Sequence, residues 1–307
     1  MKKKIKHHFE EPLFPWQRPK SKKEDPHALE RLEKIMSNPS YQLVEENISF
    51  LQTDEARMIR LQLDYLKAES KMREHGIKHT IVVFGSTRIM EPETAHKKMK
   101  KIEKELQNSP HSKELLIALS KAESMVRKSV YYDEARKFGE LVGKSGQGPS
   151  DCRVALMTGG GPGIMEAANR GAFDVGAKSI GLNIQLPHEQ YPNPYITPDL
   201  CFKFHYFGIR KFHFLQRARA LVIFPGGFGT MDELFEVLTL VQTKKTEEIP
   251  IILVGKEYWT RAIDFDFLVD EGVINENDIK IFGYVDHAVE AWEKILQWYD
   301  LRGKPLI

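Results

Sequence analysis

The chain has 307 residues, of which 41% are hydrophobic, with 45 basic against 43 acidic side chains and a formal net charge of +2. This length supports one large domain or two small ones, and the balanced charge gives no general attraction to nucleic acid or to a membrane. No segment approaches the ~18 consecutive apolar residues of a membrane span, and the first 25 residues lack the apolar core of a secretion signal. The two isolated cysteines, Cys152 and Cys201, are typical of reduced thiols, so we expect a soluble, cytoplasmic protein.

The first quarter of the chain contains no strand pattern. Residues 1–25 are charged and contain three prolines, which predicts a disordered tail. Its early lysines are typical of such a solvated tail, with a nucleic-acid arm as the weaker alternative. In residues 26–75 apolar side chains recur at helical spacing, which predicts an appendage of two or three helices.

Apolar strand segments alternate with helical segments from residue 76 to about residue 300. Strands are predicted at 79–84, 153–157, 179–183, 221–224 and 249–254, with a shorter one at 201–204. Helices are predicted at about 93–107, 112–128, 131–144, 164–175, 208–219, 258–271 and 286–299. Because the strand segments are continuously apolar, both faces of the sheet must be covered, which predicts a doubly wound, Rossmann-like parallel α/β fold. The charged helical region at about 91–130 is predicted to be an insert.

Two glycine-rich turns each follow a predicted strand and precede a predicted helix. Glycine lets the backbone approach a ligand closely, and the start of a helix offers free N–H groups to an anion. Since the carboxyl ends of parallel strands form the ligand crevice of such sheets, we expect both turns to hold one phosphate group; tight turns without a ligand are the alternative. The glycines are Gly159, Gly160, Gly161 and Gly163 in the first turn and Gly226, Gly227 and Gly229 in the second.

Charged residues near the second turn are candidates for catalysis. Glu233 follows that turn and is placed to act on a phosphorylated substrate. Its alternative role is structural, because Thr230 and Glu233 have the spacing of a capping box in which the threonine caps the helix. Arg210 and Lys211 begin the preceding predicted helix, where ordinary solvated charge is the alternative. Arg217 and Arg219, predicted on the same helix, are assigned to solvent.

Other nucleotide and metal signatures are incomplete. The dinucleotide pattern G-x-G-x-x-G fails because Ile164 occupies the last glycine position, and the third strand ends at Asn183 without an acid for a ribose. The segment 139–145 is one residue short of a P-loop and ends a helix, which predicts a glycine C-cap. The histidines show no zinc spacing, so no metal is predicted.

The second turn and its helix read P-G-G-x-G-T-x-x-E over residues 225–233. Together with the Arg210-Lys211 pair, the first glycine turn and the Phe84-Gly85-Ser86 end of the first strand, this motif resembles the LOG (Lonely guy) family, often labelled lysine decarboxylase-like. The resemblance covers about residues 76–300 and is to a longer bacterial type. Residues 1–75 and the insert depart from compact members.

The resemblance implies a phosphoribohydrolase that cleaves the N-glycosidic bond of a nucleoside 5′-monophosphate, such as AMP or a cytokinin riboside monophosphate, to a free base and ribose 5-phosphate. It implies no cofactor and a homodimer or larger homo-oligomer; the alternative is a non-hydrolysing nucleotide-binding or ligand-carrier protein of the same fold. Arg210 and Glu233 are implied to be catalytic. The implied substrate-binding residues are Gly85, Ser86, Gly159, Gly160, Gly161, Gly163, Lys211, Gly226, Gly227, Gly229 and Thr230.

Overall fold

A computed structural model describes residues 19–187 and 191–306 of the chain. The chain divides into two compact units, residues 1–60 and 61–307. Most of the tail predicted at residues 1–25 therefore lies outside the described residues. Within the predicted appendage the helices are α1 (Ala28–Met36), α2 (Ile48–Leu51) and α3 (Arg57–Glu74). Neither α1 nor α2 buries a residue.

The second unit contains one parallel sheet, with seven strands among the described residues, in the order β4-β3-β2-β1-β5-β6-β7. The strands are β1 (His79–Phe84), β2 (Val154–Thr158), β3 (Ser179–Ile184), β4 (Cys201–Phe204), β5 (Ala218–Ile223), β6 (Ile251–Val254) and β7 (Phe282–Val285). The sheet grows in one direction from β1 to β4 and in the other from β5 to β7, so the topological switch point lies between β1 and β5. The predicted doubly wound α/β fold is confirmed.

Helices cover both faces of this sheet. They are α4 (Pro92–Asn108), α5 (Lys113–Lys128), α6 (Val130–Gly143), α7 (Ile164–Asp174), α8 (Phe207–Gln216), α9 (Phe228–Gln242), α10 (Lys256–Ala262), α11 (Phe265–Asp270) and α12 (Ala288–Asp300). Alternate residues of β1 enter two separate hydrophobic cores: Ile81 packs with α6, α7 and α12, while Val82 packs with α8, α9 and α10. This double burial explains why the strand segments are continuously apolar.

Three sequence predictions about α6, α8 and the residues after them are wrong. The helix predicted at 208–219 ends at Gln216, and Arg219 lies in strand β5. Arg217 is not a solvated charge, because its Nη2 donates to Oε1 of Glu69 at 2.6 Å and Glu69 is only 6% exposed. The glycine C-cap is also wrong: Gly143 is the last residue of α6, and the cap is Lys144 with φ −90°.

Two further differences concern the last part of the chain. The helix predicted at 258–271 is two helices, α10 and α11, because the side chain of Asp264 accepts a hydrogen bond from the Phe267 N–H and starts a new helix. Strand β7 was missed in the sequence. Its residues are only partly buried up to Val285, and Gly283 interrupts the apolar pattern.

Candidate active site

A cavity of about 660 Å³ opens at the carboxyl ends of β1, β2 and β5, beside the topological switch point. This is where ligands bind in open α/β sheets, and the volume suits a small molecule. Nine of the predicted site residues line it: Gly85, Ser86, Gly159, Arg210, Gly226, Gly227, Gly229, Thr230 and Glu233. Gly160, Gly161, Gly163 and Lys211 lie outside its lining.

The backbone of Ser86 links the two glycine turns. Its N–H donates to the carbonyl oxygen of Pro225 at 3.0 Å, and its carbonyl oxygen accepts from the N–H of Ile164 at 3.1 Å. One bond therefore reaches the second turn and the other reaches the start of α7, after the first turn. The position of each turn relative to the other is fixed by the loop that follows β1.

Gly163 allows the first turn to approach this loop. Its φ is +76°, and a Cβ at this position would lie 2.3 Å from the carbonyl oxygen of Ser86. An L-residue would therefore meet both an unfavourable backbone conformation and a clash with the main chain. The glycine is required by the packing of the site, although it does not line the cavity.

We expect Gly163→Ala to lower the free energy of unfolding by about 3 kcal/mol, since the cost of positive φ adds to that of the clash. Gly176→Ala is the matched control, because Gly176 has φ +75° and nothing within 4 Å of the added Cβ. The control should lose only about 1 kcal/mol. Urea denaturation of both variants measures the difference, and equal losses would show that the contact with Ser86 imposes no constraint.

Hydrogen bonds with Thr158 and Asn193 fix the conformation of the first glycine turn. The N–H of Gly160 donates to Oγ1 of Thr158 at 2.9 Å, so this N–H is already used. The buried Asn193 donates its backbone N–H to the carbonyl of Gly160 at 2.9 Å and its Nδ2 to that of Gly161 at 3.1 Å. Only Gly159 of this turn borders the cavity. The anchoring role of Asn193 was missed, because a loop asparagine gives no local signal of its partners.

The second turn leads directly into helix α9. Gly227 is its N-cap, and the N–H groups of Thr230 and Met231 both donate to the Gly227 carbonyl at 3.0 Å. The first N–H groups of α9, starting at Phe228, have no carbonyl within the helix to bind. They carry the positive end of the helix dipole at the cavity wall, which favours an anion there.

The start of α9 contradicts the capping-box alternative for Glu233. Thr230 is the third residue of the helix, so it is not the cap, and its own N–H is bonded to Gly227. The carboxylate of Glu233 instead faces Arg210, with Oε1 at 3.5 Å from Nη2. This glutamate has no capping function in the structure.

Glu233 is a buried carboxyl group with unusual proton affinity. It is only 4% exposed, on the floor of the cavity. Burial raises the pKa of Glu233 to about 7, although the nearby charges of Lys211 and Arg210 act in the opposite direction. A carboxyl group with a pKa near neutrality exchanges protons readily at physiological pH, as general acid–base catalysis requires.

Arg210 is the buried partner of this carboxylate. Its guanidinium carbon lies over the rings of Phe207 and Phe214, at 5.2 and 5.4 Å from their centroids. Burial lowers the pKa of Arg210, an effect that Glu233 opposes. Its Nε is buried and has no hydrogen-bond partner among the described residues. This guanidinium therefore has hydrogen-bonding capacity left for a ligand.

Lys211 points toward the outer side of α9. Its Nζ lies 2.8 Å from Asp232 Oδ2 and 2.8 Å from Glu236 Oε2, and 4.0 Å from Glu233 Oε2. Burial disfavours its charge, but the hydrogen bonds to Asp232 and Glu236 outweigh this and raise the pKa of Lys211. The ammonium group holds α8 against α9, and a direct contact with substrate stays a prediction.

Several cavity residues were not singled out in the sequence. Phe228 is 92% exposed, and the local signal for it is an aromatic residue between the glycines of the motif. The hydroxyl of Tyr258 donates to the Gly226 carbonyl at 2.5 Å and fixes the second turn. The other additions are Thr87, Arg88, Met165, Ile184, Leu186, Phe207, Phe214 and Met231.

Within residues 19–187 and 191–306, no group of three or more His, Cys, Asp or Glu side chains is arranged to hold a metal ion. None of the helices described there combines the length and apolar character needed to cross a bilayer.

The chain is similar to several known proteins. The family model described as "Possible lysine decarboxylase" matches residues 165–295. The chain is 27% identical over 180 residues to the Arabidopsis thaliana protein named cytokinin riboside 5′-monophosphate phosphoribohydrolase LOG3, covering 57% of this chain and 79% of that one. It is 29% identical over 160 residues to the Escherichia coli K12 pyrimidine/purine nucleotide 5′-monophosphate nucleosidase, covering 47% of this chain and 31% of that protein. The X-ray structure of TM1055, a structural genomics target, aligns with a TM-score of 0.44 at 22% identity, over 71% of this chain and 99% of that one.

Proposed function

We propose that this chain is a nucleoside 5′-monophosphate phosphoribohydrolase of the LOG family, supported by the family model that matches residues 165–295 and by the similarity to proteins named as phosphoribohydrolases. The reaction adds water across the bond between ribose C1′ and the base nitrogen, and releases a free base and ribose 5-phosphate. One observation carries the proposal: the buried Glu233, with a pKa of about 7, shares a cavity with the first turn of α9.

The 5′-phosphate binds at the start of α9. The backbone N–H groups that follow Gly227 and the hydroxyl of Thr230 supply donors, and the helix dipole favours the negative charge. The backbone of the Gly159 turn forms the facing wall. Binding energy from the phosphate, which does not react, positions the sugar for the chemical step.

The ribose lies beside Glu233. From Phe228 to Glu233 the helix advances five residues at about 1.5 Å each, about 7.5 Å in all, which is comparable with the length of a ribose 5-phosphate. As the C1′–N bond breaks, its electrons leave with the base and positive charge builds on the sugar. The ionised carboxylate of Glu233 stabilises this charge and accepts a proton from the water that attacks C1′.

The base lies toward the apolar part of the cavity. Phe228, Met165 and Met231 provide surfaces on which a flat ring can pack. Arg210, beside Glu233, is in position to donate a hydrogen bond to the ribose hydroxyls or to the departing base. Because Phe228 at the rim is exposed, it constrains the identity of the base little, and several nucleoside monophosphates should serve as substrates.

The decarboxylase description of the family does not fit these residues. Such chemistry uses pyridoxal phosphate held by a lysine Schiff base. The residues described around the cavity include no lysine, and Lys211 binds three carboxylates on another side of α9. We therefore derive no step through that cofactor.

Incubation of the purified protein with AMP should yield adenine and ribose 5-phosphate in equal amounts, measured by chromatography. Adenosine should react with a kcat/KM at least ~100-fold lower, because it lacks the charge-assisted hydrogen bonds of the phosphate. The Glu233→Gln variant, purified identically, controls for contaminating nucleosidases. A thermal shift with AMP but no base release from any nucleotide would favour the ligand-carrier alternative instead.

We further propose a cytoplasmic homodimer or larger assembly. The free thiols of Cys152 and Cys201 are consistent with a reducing compartment, and the family resemblance implies self-association. Light scattering of the purified protein measures its mass against the 35.4 kDa of one chain, and a monomer at micromolar concentration would contradict the assembly.

A further inference from the structure

A second cavity, of about 690 Å³, lies at the amino ends of β1 and β5, the end of these strands opposite to the candidate active site. Helices α8 and α9 form its walls, as they do for the candidate active site, yet the two cavities share no lining residue. The polar and charged residues around it are Lys78, His79, Gln216, Arg217, Arg219, Glu236, Lys245, Thr246 and Glu247.

Positive charge in this cavity is poorly neutralised. Among the described residues, Lys78, Arg219 and Lys245 form no ion pair with a carboxylate, whereas the acids of the lining are engaged with other cations. Glu236 Oε2 lies 2.8 Å from Lys211 Nζ, and Glu247 Oε2 lies 3.9 Å from Lys304 Nζ. The cavity therefore keeps a net positive potential, which favours an anionic occupant.

Two guanidinium groups in the lining have unused donors. Nε of Arg219 and Nη1 of Arg217 are buried and lack a hydrogen-bond partner in the part of the chain that the structure describes. Nη2 of Arg219 instead approaches Nε2 of His79 at 3.3 Å. A buried donor without a partner destabilises the fold, and a ligand with several acceptor oxygens would supply the missing hydrogen bonds.

The positive charges around the cavity also act on the pKa of His79. Burial holds the pKa of His79 below its usual range, and the charges of Arg219, Lys78 and Arg217 lower it further. A histidine so placed is neutral near pH 7, so the positive character comes from the arginines and lysines. Their geometry, with arginines inside and lysines at the exposed mouth, suits a ligand whose charge is spread over more than one group.

We propose that this cavity binds a small molecule that carries a diphosphate group. The guanidinium groups of Arg217 and Arg219 match phosphate oxygens in geometry, and Lys78 and Lys245 add point charges at the mouth. An apolar wall of Phe212, Leu215, Val237, Leu240 and Ile249 receives the organic part of such a molecule. The occupant is distinct from the nucleotide of the proposed reaction, which binds at the other end of the strands.

Calorimetric titration of the full chain with inorganic pyrophosphate and with ADP tests this site. The double variant Lys78→Ala/Lys245→Ala should bind either probe at least ~100-fold more weakly, about tenfold for each charged contact removed. The matched control is Lys121→Ala/Lys203→Ala, which removes two exposed lysines outside the cavity and should bind like the wild type.

The comparison of the two probes identifies the source of the diphosphate. Tighter binding of ADP would assign a nucleotide that also uses the apolar wall, and equal binding would assign the inorganic ion. No binding of either probe to the wild-type protein, or equal binding to the double variant, would overturn the proposal. The second result would mean that the probes occupy the candidate active site alone. Neither outcome depends on hydrolysis of AMP.

Discussion

The Glu233→Gln variant should release adenine from AMP with a kcat at least ~100-fold below that of the wild type, the usual effect of removing a positioned acid–base group. Glutamine keeps the shape of the side chain, but it neither stabilises a sugar cation by charge nor accepts a proton. Asp232→Asn is the matched control: its side chain is 59% exposed, lies next in sequence and does not line the cavity. Comparable losses in the two variants would contradict a chemical role for Glu233.

The same substitution should change the pH dependence of stability. The pKa of Glu233 is raised from 4.5 to about 7 in the folded protein, so the folded state binds more protons than the unfolded state between these values. The wild-type free energy of unfolding therefore loses this residue's contribution as pH rises through that window. The glutamine variant lacks this loss, so its stability relative to the wild type should grow by up to about 3 kcal/mol from about pH 4.5 to about pH 8. Urea denaturation at both pH values measures this, and a constant difference would indicate an ordinary glutamate.

Arg210→Ala is expected to reduce kcat/KM for AMP by at least ~100-fold, because it removes the buried cation beside the carboxylate. Since Arg210 lowers the pKa of Glu233, its loss should also raise that pKa and move the acidic limb of the kcat/KM profile to higher pH. Rates measured from about pH 5 to about pH 9 report this limb.

Two further variants separate charge from packing at this position. Arg210→Lys retains a cation and should leave the limb closer to its wild-type position. Arg261→Ala removes an arginine whose side chain is 79% exposed, and it should leave both rate and profile unchanged. Near-normal activity of Arg210→Ala would return Arg210 to a purely structural role.

The features that the sequence predicts well are those encoded by neighbours along the chain. Apolar segments identified six of the seven described strands; five of these are buried on both faces, whereas Lys203 of β4 is exposed. The segment after Phe224 places two glycines before an amphipathic helix, and the structure has a turn and α9 there. The switch point between β1 and β5 then brings these turns to one crevice, as the parallel fold requires.

The features that the sequence did not predict depend on partners distant along the chain. Nothing local to Gly160 shows that the N–H of Asn193 donates to its carbonyl oxygen, or that Lys211 turns toward Asp232. Helix boundaries are similarly ambiguous in a sequence. Threonine is a common N-cap, and only the backbone conformation shows that Thr230 is the third residue of α9. The direction and pairing of side chains are tertiary properties, so the local pattern does not determine them.

The double anchoring of Ser86 has a consequence for how substrate preference can change. The N–H and the carbonyl oxygen of one residue, Ser86, couple both turns, so hydrogen bonds fix the backbone in the half of the crevice assigned to the sugar phosphate. The half assigned to the base is bordered by side chains outside these hydrogen bonds, of which Phe228 is the most exposed. Under the proposed function, substitutions at the rim should therefore change which nucleobase is accepted without disturbing the surroundings of Glu233.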